Sequence, residues 1–180
     1  AWMMDEYSFL QGHNVPGVIT GKPIPLGGSA GRGDATARGG MFCIREAAKE
    51  LGFDTEGASM AIQGFGNAGQ YAATLGEELL SAKIVAVSDS RGGVYNPDGM
   101  DPEALINHKV ETGSVVGFPE GDTITNEELL VLDVDILAPA ALENQITGEN
   151  AADVKAKISA ELANGPTTLE ADEILYENGV

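Results

Sequence analysis

Three glycines at fixed spacing, Gly64-x-Gly66-x-x-Gly69, stand where an apolar run at 58–62 gives way to a helix-forming stretch that reaches Leu80. In that setting each glycine has a physical task. The first permits a tight turn, the second lets backbone approach a pyrophosphate, and the third lets the helix pack on the strand. Free N–H groups at the start of the helix, with its positive dipole end, add an anion site. Twenty positions beyond Gly69, Asp89 ends a second apolar run, where a carboxylate accepts hydrogen bonds from ribose hydroxyls. With 24 glycines among 180 residues the motif alone would be weak. Its strand-to-helix setting and the following acid make a dinucleotide the expected ligand. Its type stays open: a carboxylate at Asp89 favours NAD, whereas Arg91, with Ser88 and Ser90 beside it, would hold the 2′-phosphate of NADP. Arg91 reads equally well as a surface residue in a turn.

The elements that must position these groups follow from periodicity and punctuation. Residues 1–12 read as a short amphipathic helix offering Trp2, Met3, Tyr7, Phe9 and Leu10, with Gly12 as its stop. The stretch 15–33 is crowded with glycine and proline and reads as loop, with room for a short strand at 18–20. Helical spacing at Met41, Ile44, Ala48 and Leu51 predicts a helix over 35–51, capped by Asp34 or Thr36. Strands are then expected at 58–62, 83–87, 134–137 and 155–159, with a helix running from the glycine motif through Leu80 and further helices at 101–112, 126–130 and 169–176. A turn-rich loop is expected at 89–99. Strands alternating with helices imply parallel crossovers. The expected fold is α/β, a doubly wound, mostly parallel sheet of Rossmann type with helices on both faces. All 180 residues read as one nucleotide-binding domain, with an opening helix and glycine-rich loop at 1–34 and the α/β core at 35–180.

Bulk composition narrows the partners. The chain is 43% apolar, enough for one ordinary core, and no apolar run is long enough to cross a bilayer. It opens without a charged-then-apolar leader, so a cytoplasmic protein with no membrane partner is expected. Acidic residues number 28 against 10 basic ones, leaving a net charge of −18, which makes nucleic acid a poor partner. The acids are scattered along the chain, as in a solvated coat; salt adaptation is the economical reading, and an ordinary acidic cytosolic protein is the alternative. Cys43 is the only cysteine and reads as a small apolar residue packed on a helix. His13 and His108 have no metal-ligand spacing around them, so no metal site is expected.

Several blocks in order now resemble a known family. Lys22-Pro23, then Gly27-Gly28-Ser29-x-Gly31-Arg32-x-x-Ala35-Thr36-Ala37-Arg38-Gly39 and Gln63-Gly64-Phe65-Gly66-Asn67-Ala68-Gly69 are similar to the coenzyme domain of hexameric glutamate dehydrogenases. So are the blocks from Val87 to Pro97, Leu137 to Ala141 and Ala163 to Thr168, and the resemblance covers essentially the whole chain. A halophilic archaeal source suits the charge. The resemblance implies NAD or NADP as cofactor, with Thr36 and Asn67 on the nicotinamide side and the turn from Gly66 to Ala68 under the pyrophosphate. Gly64, Phe65 and Gly69 would frame that turn, with Asp89 and Ser90 at the adenosine ribose and Ala140 and Asn164 lining the cleft. Taken alone, Thr36 reads as a helix cap and Asn164 as a turn former before Pro166. Arg32 and Arg38 would meet coenzyme phosphate or substrate carboxylate, or pair with acids of the same or another subunit.

In that family the substrate-binding lysines and the catalytic lysine and aspartate lie outside the stretch resembled. None of Lys22, Lys49, Lys83, Lys109, Lys155 and Lys157 falls in a motif that matches those substrate-binding or catalytic lysines. The resemblance therefore implies a fragment with no catalytic residue of its own and no substrate domain, inactive alone. In the whole enzyme, a homo-hexamer, hydride would pass between nicotinamide and L-glutamate, giving 2-oxoglutarate and ammonia. Two alternatives remain: a related leucine, phenylalanine or valine dehydrogenase, and a non-catalytic module that senses a dinucleotide.

Overall fold

The computed structural model describes all 180 residues, which fall into two compact units, Ala1–Ala35 and Thr36–Val180. In the first, α1 (Trp2–Gln11) ends at Gly12, whose φ of 71° is the left-handed stop that glycine accepts most readily. The Ser8 hydroxyl accepts from the N–H of Val15 at 3.0 Å. Two short 3₁₀ turns follow, Pro16–Val18 and Ile24–Leu26, and no strand forms at 18–20. The dense prolines there lack the N–H groups that a ladder needs. Gly28 packs so closely on the Lys22 carbonyl that a Cβ would strike it.

The second unit is an α/β fold around a mixed six-stranded sheet. Its elements are α2 (Ala35–Leu51), β1 (Ser59–Gln63), α3 (Asn67–Leu80), β2 (Lys83–Asp89), β3 (Gly92–Tyr95), α4 (Pro102–Thr112), β4 (Asp122–Ile124), α5 (Asn126–Leu130), β5 (Ile136–Pro139), β6 (Ile158–Ser159) and α6 (Leu169–Asn178). Strand order is β4-β3-β2-β1-β5-β6, with β2, β1, β5 and β6 parallel, β3 antiparallel to β2, and β4 antiparallel to β3. The loop expected at 89–99 holds β3, and the polar connection after α4 holds β4. Both lie at one edge of the sheet, where few apolar side chains are required.

Alternate strand residues face two separate cores. Met60, Ile62, Ile136 and Ala138 join Met41, Ile44, Ala72 and Leu105 on one face, while Ala61 and Leu137 join Leu129, Ile146 and Ala171 on the other. Burial on both faces explains why these strands read as continuous apolar runs. Gly40 of α2 abuts Leu162, which is bonded to the last residue of β5, whereas Phe53 beyond its other end meets Lys157 just before β6. The helix therefore runs antiparallel to the strands, and its N-terminal end, with Thr36, lies toward the C-terminal edge of the sheet. Cys43 departs from the sequence expectation: it is exposed, because Met41, Ile44 and Ala48 supply the inward stripe of α2.

Candidate functional site

At the C-terminal edge, the ends of β1, β2 and β5 surround a cavity of about 460 Å³. The strand order reverses between β1 and β5 at this point, which is where ligands of open α/β sheets bind. Gly64 leaves β1 with φ 92°, and a Cβ there would meet the backbone of Ala141 at 2.8 Å. Gly69, in the first turn of α3, sits so close to the Gly64 carbonyl oxygen that any Cβ would collide with it. Gly66 is different. It caps α3, and the place its Cβ would take has no atom within 4 Å. Two glycines thus hold the turn closed and the third leaves backbone open to the cleft. Phe65 between them is buried, Asn67 is exposed as the first residue of α3, and Ala68 is half-buried.

Asp89 closes the β2 side of the cleft, and its carboxylate is almost fully engaged. Oδ1 accepts from the N–H of Arg91 at 2.9 Å and from the hydroxyl of Ser114 at 3.1 Å. Oδ2 accepts from the N–H of Val115 at 2.9 Å and faces the Lys109 ammonium at 3.3 Å. Burial alone would raise its pKa. The Arg91 and Val115 N–H groups, the Ser114 hydroxyl and the charge of Lys109 outweigh that, and hold the carboxyl below its ordinary value. The carboxylate so fastens the end of β2 to the loop after α4.

A second network ties the same strand end to α5. The N–H of Gly64 reaches the Ser88 hydroxyl at 3.4 Å, and that hydroxyl donates to Asn126 Oδ1 at 2.7 Å. Asn126 Nδ2 in turn donates to the main-chain oxygen of Asp89 at 2.9 Å. On the β5 side, the N–H of Ala140 donates to the Gln63 carbonyl at 2.7 Å, and Gln63 Nε2 donates to Gln145 Oε1 at 2.7 Å. Gln63 Oε1 is buried at the cleft wall without a partner, an acceptor awaiting a donor. Open backbone at Gly66, a free acceptor and a cation at Lys109 suit a polar, anionic, elongated ligand, and a dinucleotide fits that description.

Sequence reasoning missed Gln145, Lys109, Asn126 and Glu127, all of which line the cleft. Thr125 and Glu128 form a capping box at the start of α5, so the Thr-x-x-Glu pattern was the available signal for where Asn126 and Glu127 lie. Of the residues singled out from sequence, Gly64, Phe65, Gly66, Asp89, Ser90 and Ala140 meet at this cleft. Arg91 is exposed outside it, its guanidinium toward Gly113. Asn164 lines a separate, larger cavity of about 1080 Å³. That cavity is bordered by Glu143, Glu149 and Glu170, a poor environment for phosphate, so size does not decide between the two. Thr36 is exposed at the start of α2, and Arg32 is exposed within the first unit. His108 stacks edge-on against Phe118, with ring centroids 5.6 Å apart.

Known proteins share this sequence and fold. Residues 27–180 match the family described as Glutamate/Leucine/Phenylalanine/Valine dehydrogenase. The glutamate dehydrogenase of Thermotoga maritima is 58% identical over the whole chain, and a cryptic catabolic NAD-specific glutamate dehydrogenase of Bacillus subtilis is 54% identical. The chain spans 43% and 42% of those relatives' lengths. Among solved structures, the hetero-hexameric glutamate dehydrogenase of Thermus thermophilus superposes with a TM-score of 0.88 at 37% identity, over 99% of this chain and 42% of that one. The glutamate dehydrogenase of Peptoniphilus asaccharolyticus gives 0.77 at 36% identity, over 99% and 41%. With the family pattern matched over most of its length, the chain belongs to the glutamate/leucine/phenylalanine/valine dehydrogenase family.

Proposed function

We propose that this chain is the coenzyme-binding part of a glutamate dehydrogenase, its sheet a doubly wound one of Rossmann type that takes NAD or NADP at the cleft beside Gly66. The observation that carries this reading is the open backbone at Gly66, at the N-terminus of a 14-residue helix, flanked by two glycines that close packing requires. The turn from Gly64 to Gly69 would hold the pyrophosphate, Asp89 and Ser90 would border the adenosine end, and Ala140 the floor. Thr36, Asn67 and Asn164 would serve the nicotinamide half, as the family resemblance implies. Bound there, the nicotinamide ring supplies a hydride acceptor for the α-carbon of L-glutamate. This chain's residues bind and orient the coenzyme, and the groups that act on the amino acid belong to the remainder of a hexameric enzyme. The relatives of Bacillus subtilis described as NAD-specific favour NAD over NADP. The acidic surface we read as an adaptation to salt.

Calorimetric titration tests the cleft. The chain should bind NAD(H) or NADP(H) without turning over glutamate, and Gly66→Val should reduce affinity at least about a hundredfold while the far-UV circular dichroism stays unchanged. Valine would fill the space the pyrophosphate needs, and nothing of the protein occupies that space. Unaltered affinity in Gly66→Val would move the coenzyme elsewhere.

A further inference from the structure

We propose that Glu127, at the second position of α5, supplies the carboxylate that accepts from the adenosine ribose hydroxyls and thereby selects NAD over NADP. The inference rests on the coenzyme reading of the cleft. An acid at the end of the second strand ordinarily fills this role, and in this chain that acid is Asp89. A carboxylate offers roughly four lone-pair sites. Three hydrogen bonds, from Arg91 N–H, Ser114 Oγ and Val115 N–H, fill Asp89, and the Lys109 ammonium pairs with Oδ2 at 3.3 Å. A ribose hydroxyl arriving there would have to compete with these groups for a carboxylate they already crowd.

Glu127 borders the same cleft and is exposed, and its carboxylate has no hydrogen-bond or ion-pair partner. Its backbone is also held in place. Asn126, immediately before it, spends both side-chain polar atoms on the end of β2, donating to the Asp89 carbonyl and accepting from Ser88. The capping box from Thr125 to Glu128 fixes the start of the helix from the other side. The chain therefore presents a free acid beside the end of β2 in space, although 38 positions separate it from Asp89 in sequence. The charge would accept from the 2′-hydroxyl and repel a 2′-phosphate. Asp89 is then a positioning residue, which keeps β2, the loop after α4 and Lys109 in register around the pocket.

Both coenzymes are to be titrated into the 180-residue chain, Glu127→Gln, Glu127→Asp and Asp89→Asn at one ionic strength, with urea midpoints measured in parallel. Loss of a hydrogen bond to a charged acceptor should weaken NAD about tenfold in Glu127→Gln. NADP should be unaffected or tighter, and the urea midpoint should not move. Glu127→Asp, which keeps the charge, should keep the preference for NAD. Asp89→Asn should lower the midpoint and weaken both coenzymes by the same factor. An unchanged NAD to NADP ratio in Glu127→Gln would overturn the assignment, as would a ratio shift confined to Asp89→Asn, and either result leaves the coenzyme reading standing. Binding of neither coenzyme by the unaltered chain would overturn that reading itself and Glu127 with it.

Discussion

Two aspartates hold the two edges of the sheet with nearly the same chemistry. Asp89 stands at the C-terminal end of β2, and Asp135 stands just before β5 at the opposite edge. Asp135 Oδ2 accepts from both the N–H and the hydroxyl of Ser59 at 2.8 Å, and Oδ1 accepts from Lys157 Nζ at 2.6 Å. It thus fastens the starts of β1, β5 and β6 as Asp89 fastens the end of β2. Burial pushes the pKa of each upward, and in each the hydrogen bonds and a lysine more than reverse it. A lowered pKa on a shielded, well-bonded carboxylate therefore does not mark a functional site by itself, although such groups often cluster at one. What separates the two is their surroundings. Asp89 borders a cleft that glycine backbone opens onto, and Asp135 borders strand starts and a lysine lying over Phe53.

Deleting each carboxylate should have the largest effect. The side chain of Asp89 is 7% exposed and that of Asp135 26%, so water can replace the lost partners more readily at Asp135. Asp89→Ala strands two N–H groups, a hydroxyl and an ammonium near a buried wall, at about 3 kcal/mol. Asp135→Ala should cost about 1–2 kcal/mol, since Lys157 is itself more than half exposed and can turn to solvent. Urea unfolding measures both. Coenzyme affinity should fall in Asp89→Ala and hold in Asp135→Ala. Equal effects on stability and binding at the two positions would show that the two edges do not differ in kind.

How much of this was legible beforehand divides along the same line. The glycine motif could be read because its constraints are local: Gly64, Gly66 and Gly69 each answer to a neighbour within a few residues. The strands with two apolar faces announced themselves for a similar reason. The engagement of Asp89 was not legible, because its donors at Ser114 and Val115 arrive from a loop 25 positions later, and nothing in their side-chain types marks them. Strands β3 and β4 escaped because glycine and polar residues at a sheet edge look like turns. Cys43 was misplaced because a helix with four inward residues leaves its other small side chains free to face water.

Titration offers a smaller and reversible version of the deletions. Both aspartates have folded-state pKa values below the ordinary 3.8. A depressed carboxyl contributes stability that is fully present above its unfolded pKa and is lost as pH falls through its folded one, because the unfolded chain binds the proton first. The urea midpoint of the unaltered chain should accordingly be insensitive to these two groups above about pH 5 and fall below about pH 4. Asp89→Asn and Asp135→Asn should each lose part of that acid dependence. A variant that retains the full slope would show that its carboxylate contributes nothing through ionisation.

The smallest effect per residue belongs to the surface, and it separates the coat from the two anchors. With a net charge of −18, exposed carboxylates repel one another over about 10 Å at 0.1 M salt and over only about 3 Å at 1 M. Salts excluded from the surface also strengthen apolar burial, so both contributions act in the same direction. The urea midpoint of the chain should therefore rise between 0.1 and 3 M KCl. Screening reaches shielded groups much less, so the stability losses caused by Asp89→Ala and Asp135→Ala should change little across that range, with Asp135, the more exposed, changing more. Urea serves better than guanidinium here, since the latter is itself a salt. A midpoint that stays flat or falls would remove the salt adaptation and leave the cleft untouched. A loss at Asp89 that vanishes in 3 M KCl would place its carboxylate with the coat, as an exposed charge and not an anchor.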